Sequence, residues 1–176
     1  MAASVEIRRL TGSTPSETTI TNSNTVASTS DDPNPGSNNP IPIPSSGTNR
    51  SFWVTTQLDC TSAPSGSLSN IRWYTDGSNN LGGGVSVNVG TASSYVQATG
   101  TTGDSGDELT TGNHSGLNAS PVNAFNQTSS SPLSVSGSTS STGNFGDRVV
   151  YQVNVGSSAS PGETFKEQFT WVYDET

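Results

Sequence analysis

Apolar and polar residues alternate along this chain in short bursts, separated by long polar stretches. Residues 4–10 (SVEIRRL) set Val5, Ile7 and Arg9 on one side and Glu6 and Arg8 on the other, which predicts a first strand. A second, short one is predicted around Ile20 (ETTITN). From residue 50 the pattern sharpens. Residues 50–58 (RSFWVTTQL) are aromatic and β-branched, as strands are. Residues 70–75 set Ile71, Trp73 and Thr75 against Arg72 and Tyr74, residues 84–89 put Val85, Val87 and Val89 on one face, and residues 95–98 (YVQA) predict a short strand. Apolar clusters follow at 121–125 and 132–136. Two strong strands close the pattern, at 147–155 (DRVVYQVNV) and 164–175 (TFKEQFTWVYDE). In the last, Phe165, Phe169, Trp171 and Tyr173 share one face. Pro161-Gly162 is a turn pair between these two strands. No segment of helical length repeats its apolar residues every 3.6 positions, so the predicted class is all-β.

Residues 22–49 break the alternation. They carry Pro33, Pro35, Pro40, Pro42 and Pro44 and few large apolar side chains. Pro40-Ile41-Pro42-Ile43-Pro44 fixes every second φ and drives the residue before each proline toward extended backbone, so it forms neither a central strand nor a helix. Two readings stand: a linker, or an arm laid along a partner. Ile41 and Ile43 favour the arm, since a linker has no need of them. The predicted organisation is an N-terminal strand and arm over 1–49, followed by a β-sandwich over 50–176. Ordering each residue costs about 1–2 kcal/mol, so an arm of this length is expected to need another surface.

Composition sharpens this picture. Of 176 residues only 28% are apolar and 11% charged; Ser, Thr, Asn, Gly and Pro make up most of the rest, as in short strands joined by polar turns. The net charge is −8, and the basic residues are scattered singly apart from Arg8-Arg9. That argues against a nucleic-acid surface, which needs clustered positive charge. One cysteine, Cys60, forbids an internal disulfide and is expected to be a small buried hydrophobe. The first residues contain no apolar secretory core and no stretch approaches a membrane span, so synthesis and assembly in a cytoplasm are expected. Four Asn-x-Ser/Thr matches, at Asn49, Asn113, Asn118 and Asn126, are what chance supplies in such a composition.

Candidate chemistry concentrates in residues 102–116 (TGDSGDELTTGNHSG). Gly103-Asp104-Ser105-Gly106 spells the letters around the nucleophile of trypsin-like proteases, and the chain's one histidine, His114, lies nine residues on. A serine nucleophile needs a base in hydrogen-bond reach and a group to orient that base. Here His114 follows the serine in the same polar segment, whereas in that family it comes far earlier in the chain. His114 is therefore expected to be an exposed loop residue, and no enzyme activity is expected. Asp104, Asp107 and Glu108 suggest a weak calcium loop or a solvated acidic turn, without the spacing of an EF-hand. One Cys and one His do not make a zinc site, and no cofactor is expected. Gly82-Gly83-Gly84 lacks the Lys-Ser/Thr of a phosphate loop and reads as a hairpin turn after Asn79-Asn80. Trp53, Trp73 and Trp171 sit in strand patterns, which favours core packing over sugar stacking.

Two resemblances follow. The thirteen-residue spacing of Cys60 and Trp73 is similar to that between the strand-B cysteine and strand-C tryptophan of immunoglobulin-like sandwiches. Asp147, Tyr151 and Val153 resemble the tyrosine corner that opens strand F. That resemblance implies a sandwich over 50–176, of immunoglobulin-like or jelly-roll topology, with Trp73, Asp147, Tyr151 and Val153 in its core. More loosely, a strand-like N-terminus, a Pro-rich arm and a Ser/Thr/Gly-rich sandwich resemble the small accessory proteins of tailed-bacteriophage virions. This implies a non-enzymatic capsid cement or decoration protein. It would be a homo-oligomer, such as a trimer, bound to the major capsid protein or other virion subunits through Pro40, Ile41, Pro42, Ile43 and Pro44, without nucleic acid or membrane. A neck or tail component is the alternative within that class. A carbohydrate-binding, host-adhesion module is the alternative outside it.

Overall fold

The computed structural model describes residues 2–162 and 166–176. Its strands are β1 (Ser4–Thr11), β2 (Ser16–Thr19), β3 (Thr48–Arg50), β4 (Val54–Ser62), β5 (Leu68–Tyr74) and β6 (Val85–Ala92) in the first half. The second half adds β7 (Gly100–Thr101), β8 (Ser105–Gly106), β9 (Val122–Asn123), β10 (Leu133–Val135), β11 (Gly143–Gly156) and β12 (Thr170–Glu175). The fold is all-β. One sheet runs β2-β1-β4-β11-β6-β9, with β3 joining β11 where β4 has ended. A second runs β10-β5-β12, and β7 pairs with β8 in a small hairpin. Every strand pairing is antiparallel.

The period-two pattern explains the layers. Val54, Leu58 and Cys60 of β4 and Val149 and Tyr151 of β11 face the smaller sheet, meeting Leu68, Ile71 and Trp73 of β5 and Val135 of β10. Phe169 closes this core, with its ring 5.0 Å from Trp73 and 4.9 Å from Tyr151. Burying each such side chain contributes about 1.5–3 kcal/mol. The opposite face of the large sheet is also covered. Phe52, Trp53, Ala92 and Val150 form a second core under Ala98 and Leu109, which arrive from residues 93–118. The large sheet is thus the middle layer of three, and Val54 through Leu58 are buried without a break.

Several expectations are corrected. The boundary anticipated at residue 50 runs through the large sheet, because β1 pairs along β4 from Val5↔Cys60 to Leu10↔Thr55. Residues 95–98 form no strand; Trp53 Nε1 donates to the Val96 carbonyl (3.1 Å) and holds them as a cover. Residues 82–84 are not a hairpin turn. β5 and β6 lie in different sheets, so the segment crosses between them, stitched by Gly156 N–H to the Gly84 carbonyl (2.7 Å). The final strand begins at Thr170; of the residues read into it earlier, Thr164 and Phe165 lie outside the described residues. In an immunoglobulin sandwich strand F lies between C and G. Here β11 lies between β4 and β6, while β5 pairs with β12 directly.

Candidate functional site

The Pro-rich segment is laid on the chain's own body. Arg9 points inward from β1, 2% exposed, and its guanidinium donates to the carbonyls of Val26 (3.2 Å) and Pro33 (3.4 Å). Asp31 accepts from Gly12 N–H (2.8 Å) and from the Gln97 amide (2.9 Å), so it ties the segment to β1's end and to the outer loop together. Phe52 N–H donates to the Ser28 carbonyl and Gly103 N–H to the Thr29 hydroxyl. Thr29 in turn donates its N–H to the Asn39 carbonyl (2.9 Å). Asn39 takes φ +51°, a left-handed turn that asparagine tolerates, and the chain enters Pro40–Pro44 from there. Asn49 then donates its amide to the Pro42 carbonyl (3.1 Å). The strip is held at its start by Thr29 and at its middle by Asn49 of β3. Pro40 and Ile43 face solvent, Ile43 being 37% exposed, while Ile41, Pro42 and Pro44 are half-buried. The surface expected for the arm is, over much of its length, this same chain.

The outer loop at 93–118 holds the motif that raised chemistry. Ser105 is engaged structurally: its hydroxyl accepts from Arg50 N–H (3.0 Å) and donates to the Gly106 carbonyl (3.1 Å). Gly106 lies against β3's end so closely that a Cβ there would sit 2.2 Å from the Ser51 carbonyl oxygen. His114 is not the exposed residue expected. It is fully buried, edge-on to Trp53 with ring centroids 5.4 Å apart, and neither ring nitrogen has a hydrogen-bond partner among the described residues. Burial pushes its pKa below the ordinary value of 6.5. The serine and histidine form no hydrogen bond, so the sequence motif is not a catalytic pair. The acidic residues separate as well. Asp107 accepts from the Thr99 hydroxyl (2.7 Å), Glu108 pairs with Arg50 (3.3 Å), and Asp104 faces solvent. Among the described residues no three His, Cys, Asp or Glu side chains gather as a metal site, and no helix is long and apolar enough to cross a membrane.

What fixes the loop is a residue to which the alternation gave no role. Gln152 on β11 is fully buried on the outer face. Its Nε2 donates to the carbonyls of Ser51 and Asp107 (2.7 Å each), and its Oε1 accepts from Leu109 N–H (2.8 Å). Arg9 and Gln152 were both visible only as polar residues inside strand patterns.

Of the residues assigned to a core, Trp73 is buried and Val153 packs at the core's margin. Asp147 accepts from the Asn118 amide (2.7 Å). Tyr151 is buried, but its hydroxyl lies beside Arg9 and Thr25 and bonds no backbone group among the described residues. It lacks the backbone bond of a tyrosine corner, because Asp147 and Tyr151 belong to one 14-residue strand and no corner separates them. Trp53 and Trp73 are in cores, which leaves half-buried Trp171 as the one tryptophan with an accessible edge.

Beyond Glu108 the outer face is uncovered. Thr48, Arg50, Ser86, Asn88, Glu108 and Asn154 line a shallow polar cleft of about 260 Å³ there. It offers hydrogen bonds and one ion pair and has no aromatic platform. Comparisons with protein-family models, curated proteins and solved structures found no match to this chain.

Proposed function

We propose that this chain is a non-enzymatic structural protein of a tailed-bacteriophage virion, a cement or decoration protein that binds the major capsid protein lattice as an oligomer. The observation that carries this reading is the Pro40–Pro44 strip. It is extended, apolar and pinned at Asn39 and Pro42, with Ile43 outward. A segment ordered before binding pays little further entropy on docking, so a short apolar strip suffices for specific contact. Two cores and a multiply tied arm suit a rigid building block, and the acidic, Ser/Thr-rich exterior keeps free subunits apart in solution.

The test uses full-length protein, mass-resolved chromatography and co-sedimentation with purified phage heads that lack decoration. The expected result is an oligomer that sediments with heads, with binding weakened tenfold or more by Ile43→Asp at a temperature where the variant remains folded. A monomer that ignores heads refutes the reading, and binding to purified tails instead moves the protein to the neck or tail. Sugar binding on a glycan array, lost in Trp171→Ala, would establish the adhesion-module alternative.

A further inference from the structure

We propose that His114 is a proton-operated latch, holding residues 93–118 closed over the outer face of the large sheet when neutral and releasing them when protonated. This does not depend on where the protein acts.

The geometry makes the case. His114 closes a tight turn, its N–H donating to the Thr110 carbonyl (2.8 Å) and its own carbonyl accepting from Leu117 N–H (3.1 Å). The imidazole projects from that turn onto Trp53, in the layer where Leu109 and Ala98 cover Phe52 and Val150. The ring has no exposed surface and no partner for either nitrogen among the described residues. A neutral imidazole tolerates this as a partly apolar plug. An imidazolium carries two N–H donors and a full charge, which an apolar layer without acceptors does not accommodate.

No neighbouring charge offsets that cost. The charged side chains on the surrounding elements are Asp104, Asp107 and Glu108 on the loop, Asp104 facing solvent, with Arg50 on β3, and Asp147 and Arg148 on β11. Asp107 is bonded to Thr99, Glu108 to Arg50 and Asp147 to Asn118, while Arg148 donates to the Ser93 carbonyl. None hydrogen-bonds the imidazole. Desolvation is the larger influence and lowers the pKa, opposed in part by hydrogen bonding to the residue's own backbone.

The sign follows. With the closed-state pKa below 6.5 and the open-state value at 6.5, the open loop binds more protons than the closed one below that pH. The closed state is therefore at full strength above pH 6.5 and weakens as the pH falls. As the pH falls below 6.5 the open population grows, by at most about tenfold per pH unit.

Hydrogen exchange of the full-length protein at pH 7.5 and 5.0, corrected for intrinsic rates, tests this. Amides in 93–118 should lose protection severalfold, by at most about tenfold per pH unit below 6.5, while those in β4 and β11 facing the inter-sheet core keep theirs. His114→Leu should abolish the difference. If that variant does not fold, a titration of the wild-type imidazole by NMR serves instead. An ordinary midpoint near 6.5 with loop protection intact overturns the proposal, as does a change in protection below twofold.

Discussion

Gln152→Leu tests the claim that one amide fastens the outer loop. Leucine is close in volume and adds apolar contact, but it strands three backbone groups: the Leu109 N–H and the carbonyls of Ser51 and Asp107. Each buried group left without a partner costs about 1–3 kcal/mol. Partial rehydration by loosening of the loop puts each at the low end, for a sum of about 3–5 kcal/mol. The more apolar side chain returns about 1 kcal/mol. The expected loss is about 2–4 kcal/mol, a large share of the 5–15 kcal/mol typical of a domain. Urea unfolding followed by circular dichroism and by tryptophan emission measures it. If the loop detaches before the sheets melt, the tryptophan signal from Trp53 moves first and the apparent m-value drops. Gln152→Glu sharpens the test, because a carboxylate accepts from Leu109 but faces two carbonyl oxygens. Its folded-state pKa is raised, so that variant should be weakest at neutral pH and recover as the pH falls toward about 4. A loss under 1 kcal/mol for the leucine variant, with an unchanged m-value, would refute the fastening role.

Gly106→Ala should lower the melting temperature sharply, at a cost of about 3 kcal/mol or more, because its Cβ meets fixed backbone at Ser51 rather than a movable side chain. Arg9→Met should change global stability little, since the buried cation it removes meets two carbonyls and only the longer-range charges of Asp31 and Asp32; amides of residues 24–35 should nonetheless exchange faster, and a global loss of about 3 kcal/mol would contradict this. Ile43→Ser should lower unfolding free energy by about 1–2 kcal/mol, read by thermal melts, because the side chain is 37% exposed and its buried part loses its contacts.

The strands were legible because their alternation is local: Val85, Val87 and Val89 line one face of β6 as read, and β11 and β5 lie where their patterns fell. Pairing was not legible. Cys60, Trp73 and Tyr151 have spacings similar to those of an immunoglobulin sandwich, yet strand partners are chosen by distant surfaces that spacing does not encode. The outer loop was misread for a related reason. Its letters are turn formers, and four apolar residues, Val96, Ala98, Leu109 and Leu117, suffice to seat it once Phe52 and Trp53 supply the other half. The signal was on the sheet side. Val54-Thr55-Thr56-Gln57-Leu58 mixes apolar and small polar residues without exposed charge, as a strand covered on both faces does. Most ties of the arm were invisible because they run to backbone N–H and carbonyl groups, which nearly every residue carries.

The sheet margins carry a consequence of their own. The large sheet ends in β2, four residues long, and β9, two; the smaller one ends in β10, three, and in β12, whose last residues are Asp174 and Glu175. Short or charged borders give a second chain little backbone to zip onto. Copies crowded at high concentration should therefore resist fibril growth, and any joining of subunits falls to side-chain surfaces that can be altered one at a time.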